Sequence, residues 1–252
     1  MFNLDGHTAR VTGSSRGIGY ETARALARQG AQVIIHGRRA DSVNQAVATL
    51  QAEGLRALPL VFDIEDLPAT LGAVDQALAQ TGAIDILFAN AAVQHREPLV
   101  SFPQHEFERI LFANLTAQWA LGRHLATHMI ARKYGRIIFT GSITGLQGKR
   151  EITAYTAAKA ALHGLVRQWT AELGPHGITV NAIAPGYIQT EFTQALVDDT
   201  AFGQWLASRS PSAGWGTPGD IASTAVYLAA RESGFVSGQV IAVDGGLTAT
   251  LM

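Results

Sequence analysis

The sequence has no cysteine among its 252 residues. Disulfides, thiolate nucleophiles and cysteine-based metal sites are therefore excluded. Charge is also scarce: Asp, Glu, Lys and Arg make up 15% of the residues against 47% apolar, and the net charge is −1 at pH 7. With a pI near 6.7, nothing marks a polyanion binder, and no nucleic-acid partner is expected. No uninterrupted apolar run reaches the roughly 18 residues of a spanning helix, so no membrane partner is expected either. The first strand-like run starts close to the N-terminus and leaves no room for a secretion signal, which makes a cytoplasmic location the expectation. The composition is too apolar for a disordered chain, and it suggests that partner subunits cover part of the surface.

What is present is a regular alternation. Short β-branched runs, Arg10–Gly13, Gln32–His36, Ala57–Phe62, Ile84–Ala89, Arg136–Thr140, Thr179–Ile183 and Val240–Val243, read as strands. Ala/Leu-rich segments of helical spacing lie between them, at about 17–29, 40–53, 66–80, 105–132, 155–173 and 218–230. Strands that are apolar throughout imply a parallel sheet buried on both faces. The expected fold is α/β: a doubly wound, Rossmann-type parallel sheet of about seven strands, one domain over 1–252. Residues 185–217, with Pro185, Gly186, Pro211, Gly214 and Gly216, break the rhythm and read as an inserted flap over a substrate.

The segment Thr12-Gly13-Ser14-Ser15-Arg16-Gly17-Ile18-Gly19 follows the first strand and opens the first helix. Glycines let the backbone approach a pyrophosphate, and a helix N-terminus offers free N–H groups and partial positive charge. Tight strand–helix packing is the alternative, but the position after the first strand favours a dinucleotide. An NAD site carries an acid at the end of the second strand, whereas a 2′-phosphate needs cations. Here the strand ends His36-Gly37-Arg38-Arg39 with no acid, and Asp41 comes late enough to cap the next helix. Arg38 is the expected phosphate reader, with Arg16 able to approach the same point; solvated helix-start arginines are the alternative. NADP(H) is thus expected ahead of NAD(H). Asp63, with Ile64 beside it, ends the third strand and is placed to meet the adenine, or else caps a helix.

Tyr155 and Lys159 are four residues apart on an expected helix and share a face. Such a pair alone is commonplace. Ser142, ending the fifth strand at the sheet edge where ligands bind in open α/β folds, gives it meaning. A free phenol has a pKa of about 10, too high for an efficient base, and a nearby ammonium is expected to lower it by a few units. Tyr155 then exchanges a proton with an alcohol or carbonyl oxygen that Ser142 hydrogen-bonds. Asn114, an unfavourable helix-interior residue, is either a satisfied core amide or an amide joined to Lys159 through water.

Taken together in order, these segments resemble the short-chain dehydrogenase/reductase family over nearly the whole chain. Thr12–Gly19 resembles the family's TGxxxGxG turn, and Ala89-Asn90-Ala91-Ala92 its NNAG segment, with Ala89 in place of the first Asn and Ala92 in place of the Gly. Asn114, Ser142, Tyr155 and Lys159 match the catalytic tetrad. Pro185-Gly186 and Thr190 match the segment beside the nicotinamide, and Asp244-Gly245-Gly246 the C-terminal signature. The resemblance implies that Asn90 ties neighbouring strands together, with Ala91 beside it at the cofactor, and that Lys159 also binds the nicotinamide ribose. It implies carboxamide contacts from Ile188 and Thr190, and a homotetramer packed through helices near 105–132 and 155–173.

The subgroup that looks most similar, through Ile35–Arg39, Gln94-His95-Arg96 and Gly214-Trp215-Gly216, is that of gluconate 5-dehydrogenases and related sugar-acid or polyol enzymes. Arg96, Lys149 and Arg150 lie on loops of the catalytic edge and suit a substrate carboxylate, while Gln94, His95 and Gln147 suit hydroxyls. Solvated loop charges and subunit contacts are the alternative. Tyr187, Phe192, Trp205 and Trp215 either wall the flap or pack the core. A small carbonyl or alcohol substrate is expected. A 3-oxoacyl or other apolar-ketone reductase, a dinucleotide sensor without catalysis, and an epimerase or dehydratase with retained cofactor are the competing classes. His124 and His128 share a helix face, but the sequence offers no third ligand nearby, so no catalytic metal is expected.

Overall fold

The computed structural model describes residues 2–250 except 213; the remaining positions of the expected 1–252 range lie outside the described residues. Seven strands run β1 (Thr8–Val11), β2 (Gln32–Gly37), β3 (Ala57–Val61), β4 (Ile86–Ala89), β5 (Gly135–Thr140), β6 (Ile178–Pro185) and β7 (Val240–Val243). All neighbours pair in parallel, in the order β3-β2-β1-β4-β5-β6-β7. The expected doubly wound sheet is therefore observed. Helices α1 (Gly17–Arg28), α2 (Ala40–Ala52) and α9 (Pro218–Ala229) cover one face, through Leu26, Leu50, Val226 and their neighbours. Helices α3 (Leu67–Thr81), α5 (Ala117–Arg132) and α6 (Thr153–Leu173) cover the other. Two covered faces explain why β1, β4, β5 and β6 are buried along their whole length. Edge strand β3 does alternate, and it tolerates Pro59 because an edge strand can spare an N–H.

Small differences from the expected boundaries have local causes. Strand β1 begins at Thr8, where the backbone N–H donates to the Asp85 carboxylate at 2.9 Å. It ends before Gly13, whose φ of +61° turns the chain out of the sheet. The expected helix over 105–132 is α4 (Gln104–Leu111) followed by α5, with a wide π-type turn at Phe112–Thr116 between them. The turn carries the buried Asn114, and such bulges recur at functional sites. Between β6 and α9 the chain forms the short helices α7 (Gln194–Val197) and α8 (Thr200–Arg209). A single parallel bridge, Ile188 to Gly216, closes the base of this excursion.

One core residue contradicts its surroundings. Arg10 on β1 is fully buried, and no hydrogen-bond partner meets its guanidinium among the described residues. It lies over the Phe62 ring, 5.1 Å from the centroid. Burial lowers its pKa from the usual value to about 9. A cation with a depressed pKa destabilises the fold while it is protonated in the native state, and the penalty fades as pH rises through that lowered value. Replacing buried charge by an apolar side chain of similar volume stabilises by about 1–4 kcal/mol in comparable cases. Arg10→Met should therefore raise the thermal midpoint at pH 7 by roughly 2–10 °C, measured by calorimetry. A fall would mean that the guanidinium holds something the core needs.

Candidate active site

The glycine turn, Arg38, Asp63, Asn90, Ser142, Tyr155 and Lys159 gather at the carboxyl edge of the sheet, in one cleft of about 1230 Å³. At its cofactor-like end the glycine turn is held from behind. The Gly13 N–H donates to Nδ1 of His36 at 2.9 Å, so the His36 proton sits on Nε2 and is donated to the Phe62 carbonyl at 3.2 Å. The imidazole stacks on Phe62 with centroids 3.8 Å apart. Burial first, and then the charge of Arg10, lower the His36 pKa to about 3, which keeps the ring neutral and accepting. Gly19 lies at the back of the turn, where a Cβ would stand 2.3 Å from the Gly13 carbonyl and 2.7 Å from the Asn90 amide nitrogen. Only glycine allows α1 so close. From sequence His36 marks only the strand end; the signal of its role is a titratable side chain inside an otherwise apolar strand.

Asn90 fills the strand-tying role implied for it. Its Nδ2 donates to the carbonyls of Thr12 at 3.1 Å and Gly13 at 3.2 Å, and its Oδ1 accepts from the Thr140 hydroxyl at 3.2 Å. The Thr12 hydroxyl accepts the N–H groups of Asn90 and Ala91 at 2.8 and 2.9 Å. Gly186 packs so tightly on Asp244 that a Cβ would come within 2.7 Å of it, which joins the Pro185-Gly186 and Asp244-Gly245-Gly246 segments.

Arg38 is 65% exposed in its side chain, with Nη1 3.7 Å from Oδ2 of Asp63 at the rim of the cleft. Arg16 lines the same cleft and pairs with Glu191 on the excursion after β6. Asp41 does not cap α2: Arg39 holds the N-cap position, and Asp41 lies in the first turn. Asp63 is no helix cap either, because Asp66 caps α3 through the Ala69 N–H at 3.0 Å. One oxygen of Asp63 accepts from the Glu65 N–H at 3.0 Å.

At the reacting end, Tyr155 and Lys159 project from the first turns of α6 beside Ser142. Ser142 caps a short turn over Ile143–Gly145, and its oxygen accepts from the Thr144 N–H at 3.1 Å and hydroxyl at 2.9 Å. Its own O–H therefore remains to be donated. Lys159 Nζ donates to the Thr140 carbonyl at 2.6 Å and sits 5.4 Å from the centroid of the Tyr155 ring. The expected lowering of the phenol by this ammonium is not found. Burial pushes Tyr155 up to about 12, opposed by the Ser142 hydrogen bond and the charge of Arg96. Burial also lowers Lys159 to about 7. The Asn114 amide is occupied at both ends by Val93, with Nδ2 to the carbonyl and Oδ1 from the N–H, each 2.8 Å. It anchors the 90–97 segment rather than extending an amide towards Lys159.

Gln94, Arg96 and Tyr187 line the same cleft, as do Ile188 and Thr190, but Gln147 and Arg150 do not. These two face an adjoining chamber of about 380 Å³. Lys149 and Tyr187 border both spaces, joined by a 3.0 Å bond from Nζ to the phenol oxygen. Burial and then Arg96 lower Lys149 to about 8. Tyr187 meets Phe202, Trp205 and Trp215 at 4.9–6.1 Å in an aromatic cluster. Phe192 is exposed and stands 6.4 Å from Tyr155. Outside the cleft, His124 of α5 does have an acidic neighbour, Asp75 of α3, which the sequence could not place.

A dinucleotide cradle, a Tyr–Lys pair and a serine hydroxyl on one parallel-sheet edge define a nicotinamide-dependent oxidoreductase of CH–OH groups. The chain belongs to the short-chain dehydrogenase/reductase family: a family model described as enoyl-(acyl carrier protein) reductase matches residues 13–248. It is 41% identical over 251 residues to gluconate 5-dehydrogenase of Gluconobacter oxydans (strain 621H), covering 100% of this chain and 98% of that one. It is 39% identical over 247 residues to 5-keto-D-gluconate 5-reductase of Escherichia coli (strain K12), covering 98% and 97%. The crystal structure of a gluconate 5-dehydrogenase from Burkholderia cenocepacia J2315 in complex with NADP and tartrate superposes with a TM-score of 0.96 at 39% identity, covering 99% and 98%.

Proposed function

We propose that the protein is an NADP(H)-dependent oxidoreductase that interconverts a secondary alcohol and a ketone on a sugar acid of the gluconate kind. The observation that carries this reading is Arg96. It lines the cleft from an exposed position, its charge acts on Tyr155, Tyr187 and Lys149, and it makes no ion pair or side-chain hydrogen bond among the described residues. An unpaired cation beside an acid–base phenol suits a substrate carboxylate, and relatives that act on gluconate or its keto form support it.

The residues present fit the cofactor, because Gly13, Gly17 and Ile18 of the glycine turn line one continuous cleft with Arg38, Asp63, Asn90, Tyr155 and Lys159. Gly13, Ser15, Gly17 and Ile18 would hold the pyrophosphate at the N-terminus of α1, and Arg38 the 2′-phosphate. Asp63 and Ile64 would take the adenine, and Asn90, Ala91 and Lys159 the ribose. Pro185, Gly186, Ile188 and Thr190 would meet the carboxamide. When bound, the cofactor supplies or accepts the hydride at the substrate carbon. In reduction, Tyr155 gives its phenolic proton to the ketone oxygen while Ser142 donates a hydrogen bond to that oxygen; in oxidation the proton returns. With its pKa at about 12, Tyr155 is protonated throughout the physiological range and serves reduction directly.

A reductase for apolar ketones or acyl substrates is the second reading, favoured by the aromatic cluster around Tyr187. We also assign a cytoplasmic homotetramer with residues 185–217 as the substrate flap. The exposed Leu99, Val100 and Trp119 support subunit contacts, and no described helix is long and apolar enough to cross a membrane.

Three measurements check this reading. Tyr155→Phe should lose about 10²–10⁴-fold in turnover with NADPH affinity nearly unchanged, and retention of substantial turnover would remove its assigned role. Arg38→Ala should weaken NADPH at least about tenfold and NADH little, by equilibrium titration of both; equal losses would deny it the 2′-phosphate. In a panel of keto sugar acids and apolar ketones with NADPH, Arg96→Ala should raise KM about tenfold or more for the acids alone. Turnover confined to apolar ketones would overturn the sugar-acid assignment.

A further inference from the structure

His124 and His128 project from α5 towards α3, one helical turn apart, and Asp75 of α3 meets them. His124 Nε2 lies 2.6 Å from the Asp75 carboxylate. The His128 ring stands edge-on to that of His124, with centroids 5.9 Å apart. One ligating atom from each of the three falls within 4.8 Å of the other two. From this geometry we infer a surface site for a divalent transition metal of the zinc class, bracing α3 against α5.

The i, i+4 spacing keeps both imidazoles over a single turn, and the carboxylate comes from a different helix, so one ion links two elements. Two imidazoles and one carboxylate suit Zn²⁺, Co²⁺, Ni²⁺ or Cu²⁺ and disfavour Mg²⁺ and Ca²⁺, which take oxygen ligands. Ligand bonds of about 2.0–2.1 Å at tetrahedral angles set the ligating atoms roughly 3.3 Å apart. Asp75 and His124 must then part by less than an ångström, and His128 must close in by roughly 1.5 Å at most. Asp75 and His128 are exposed and free to adjust by small rotations, and a water would complete the tetrahedron. None of the three borders the catalytic cleft, so the ion is structural rather than catalytic. It would stiffen the helix that continues from the turn bearing Asn114.

The test is a calorimetric titration of the full-length, EDTA-treated and dialysed protein with Zn²⁺ alone, with thermal unfolding measured in parallel. One saturable Zn²⁺ per chain is expected. The unfolding midpoint should rise by roughly 5–10 °C when free Zn²⁺ is about 100 times Kd. His128→Ala and Asp75→Asn should each weaken binding at least tenfold while unfolding like the wild type in EDTA. If either variant fails to fold, His128→Gln replaces it, with the same expected loss. No saturable binding, or equal affinity in the wild type and a His124→Ala/His128→Ala double variant, would overturn the site.

Discussion

A short relay of hydrogen bonds crosses the carboxyl edge of the sheet, and both halves of the cleft hang on it. Asn90 grips the carbonyls of Thr12 and Gly13 on one side and the Thr140 hydroxyl on the other. The Thr140 carbonyl then receives the Lys159 ammonium. The glycine turn on β1 and the lysine on α6 are thus tied through one amide at the end of β4. Distances set by such a relay are what hydride transfer needs, since a reacting pair misplaced by an ångström loses orders of magnitude in rate. Neighbouring parallel strands supply the scaffold, but the Asn90 amide fixes the relative height of their ends.

The second constraint is burial. It acts on Tyr155 and Lys159 with opposite sign, because each is pressed towards its neutral form. The result is a protonated phenol beside a lysine that titrates near neutrality. Such a pair is poised to give a proton to a carbonyl, and it becomes a base only when positive charge arrives nearby. The O–H of Ser142, whose oxygen already accepts from Thr144, is left to donate beside the Tyr155 phenol and completes an oxyanion-type pair of donors.

The fold was legible because its signals are local and redundant: apolar strands, helical periodicity and a glycine turn placed between the first of each. The grouping of Ser142 with Tyr155 and Lys159 was legible because order along the chain maps onto one sheet edge. What remained hidden depended on packing. The Asn114 amide could be read as relay or core group, and only the π-type turn beneath it shows that Val93 uses both its ends. Asp41 and Asp63 were both eligible caps by spacing, yet Arg39 and Asp66 hold those positions. Arg16 could reach either the second strand end or the excursion after β6, and no sequence pattern announces Glu191 as its partner. That exposed pair is a weak strap, of about 0–1 kcal/mol, which a ligand can open at little cost.

The charge arrangement around Tyr187 limits what the cleft can accept. Arg96 and Lys149 repel each other, and the repulsion adds to burial in lowering Lys149 to about 8. An anion placed near them would offset that repulsion and favour the ammonium. A neutral ketone would leave both cations in mutual conflict, with Lys149 still bonded to Tyr187. Anion binding and the charge of Lys149 are therefore coupled, and the coupling passes through the same phenol that anchors the aromatic cluster of the excursion after β6. A carboxylate would thus be felt both at Tyr155, through Arg96, and at the wall formed by Phe202 and Trp205.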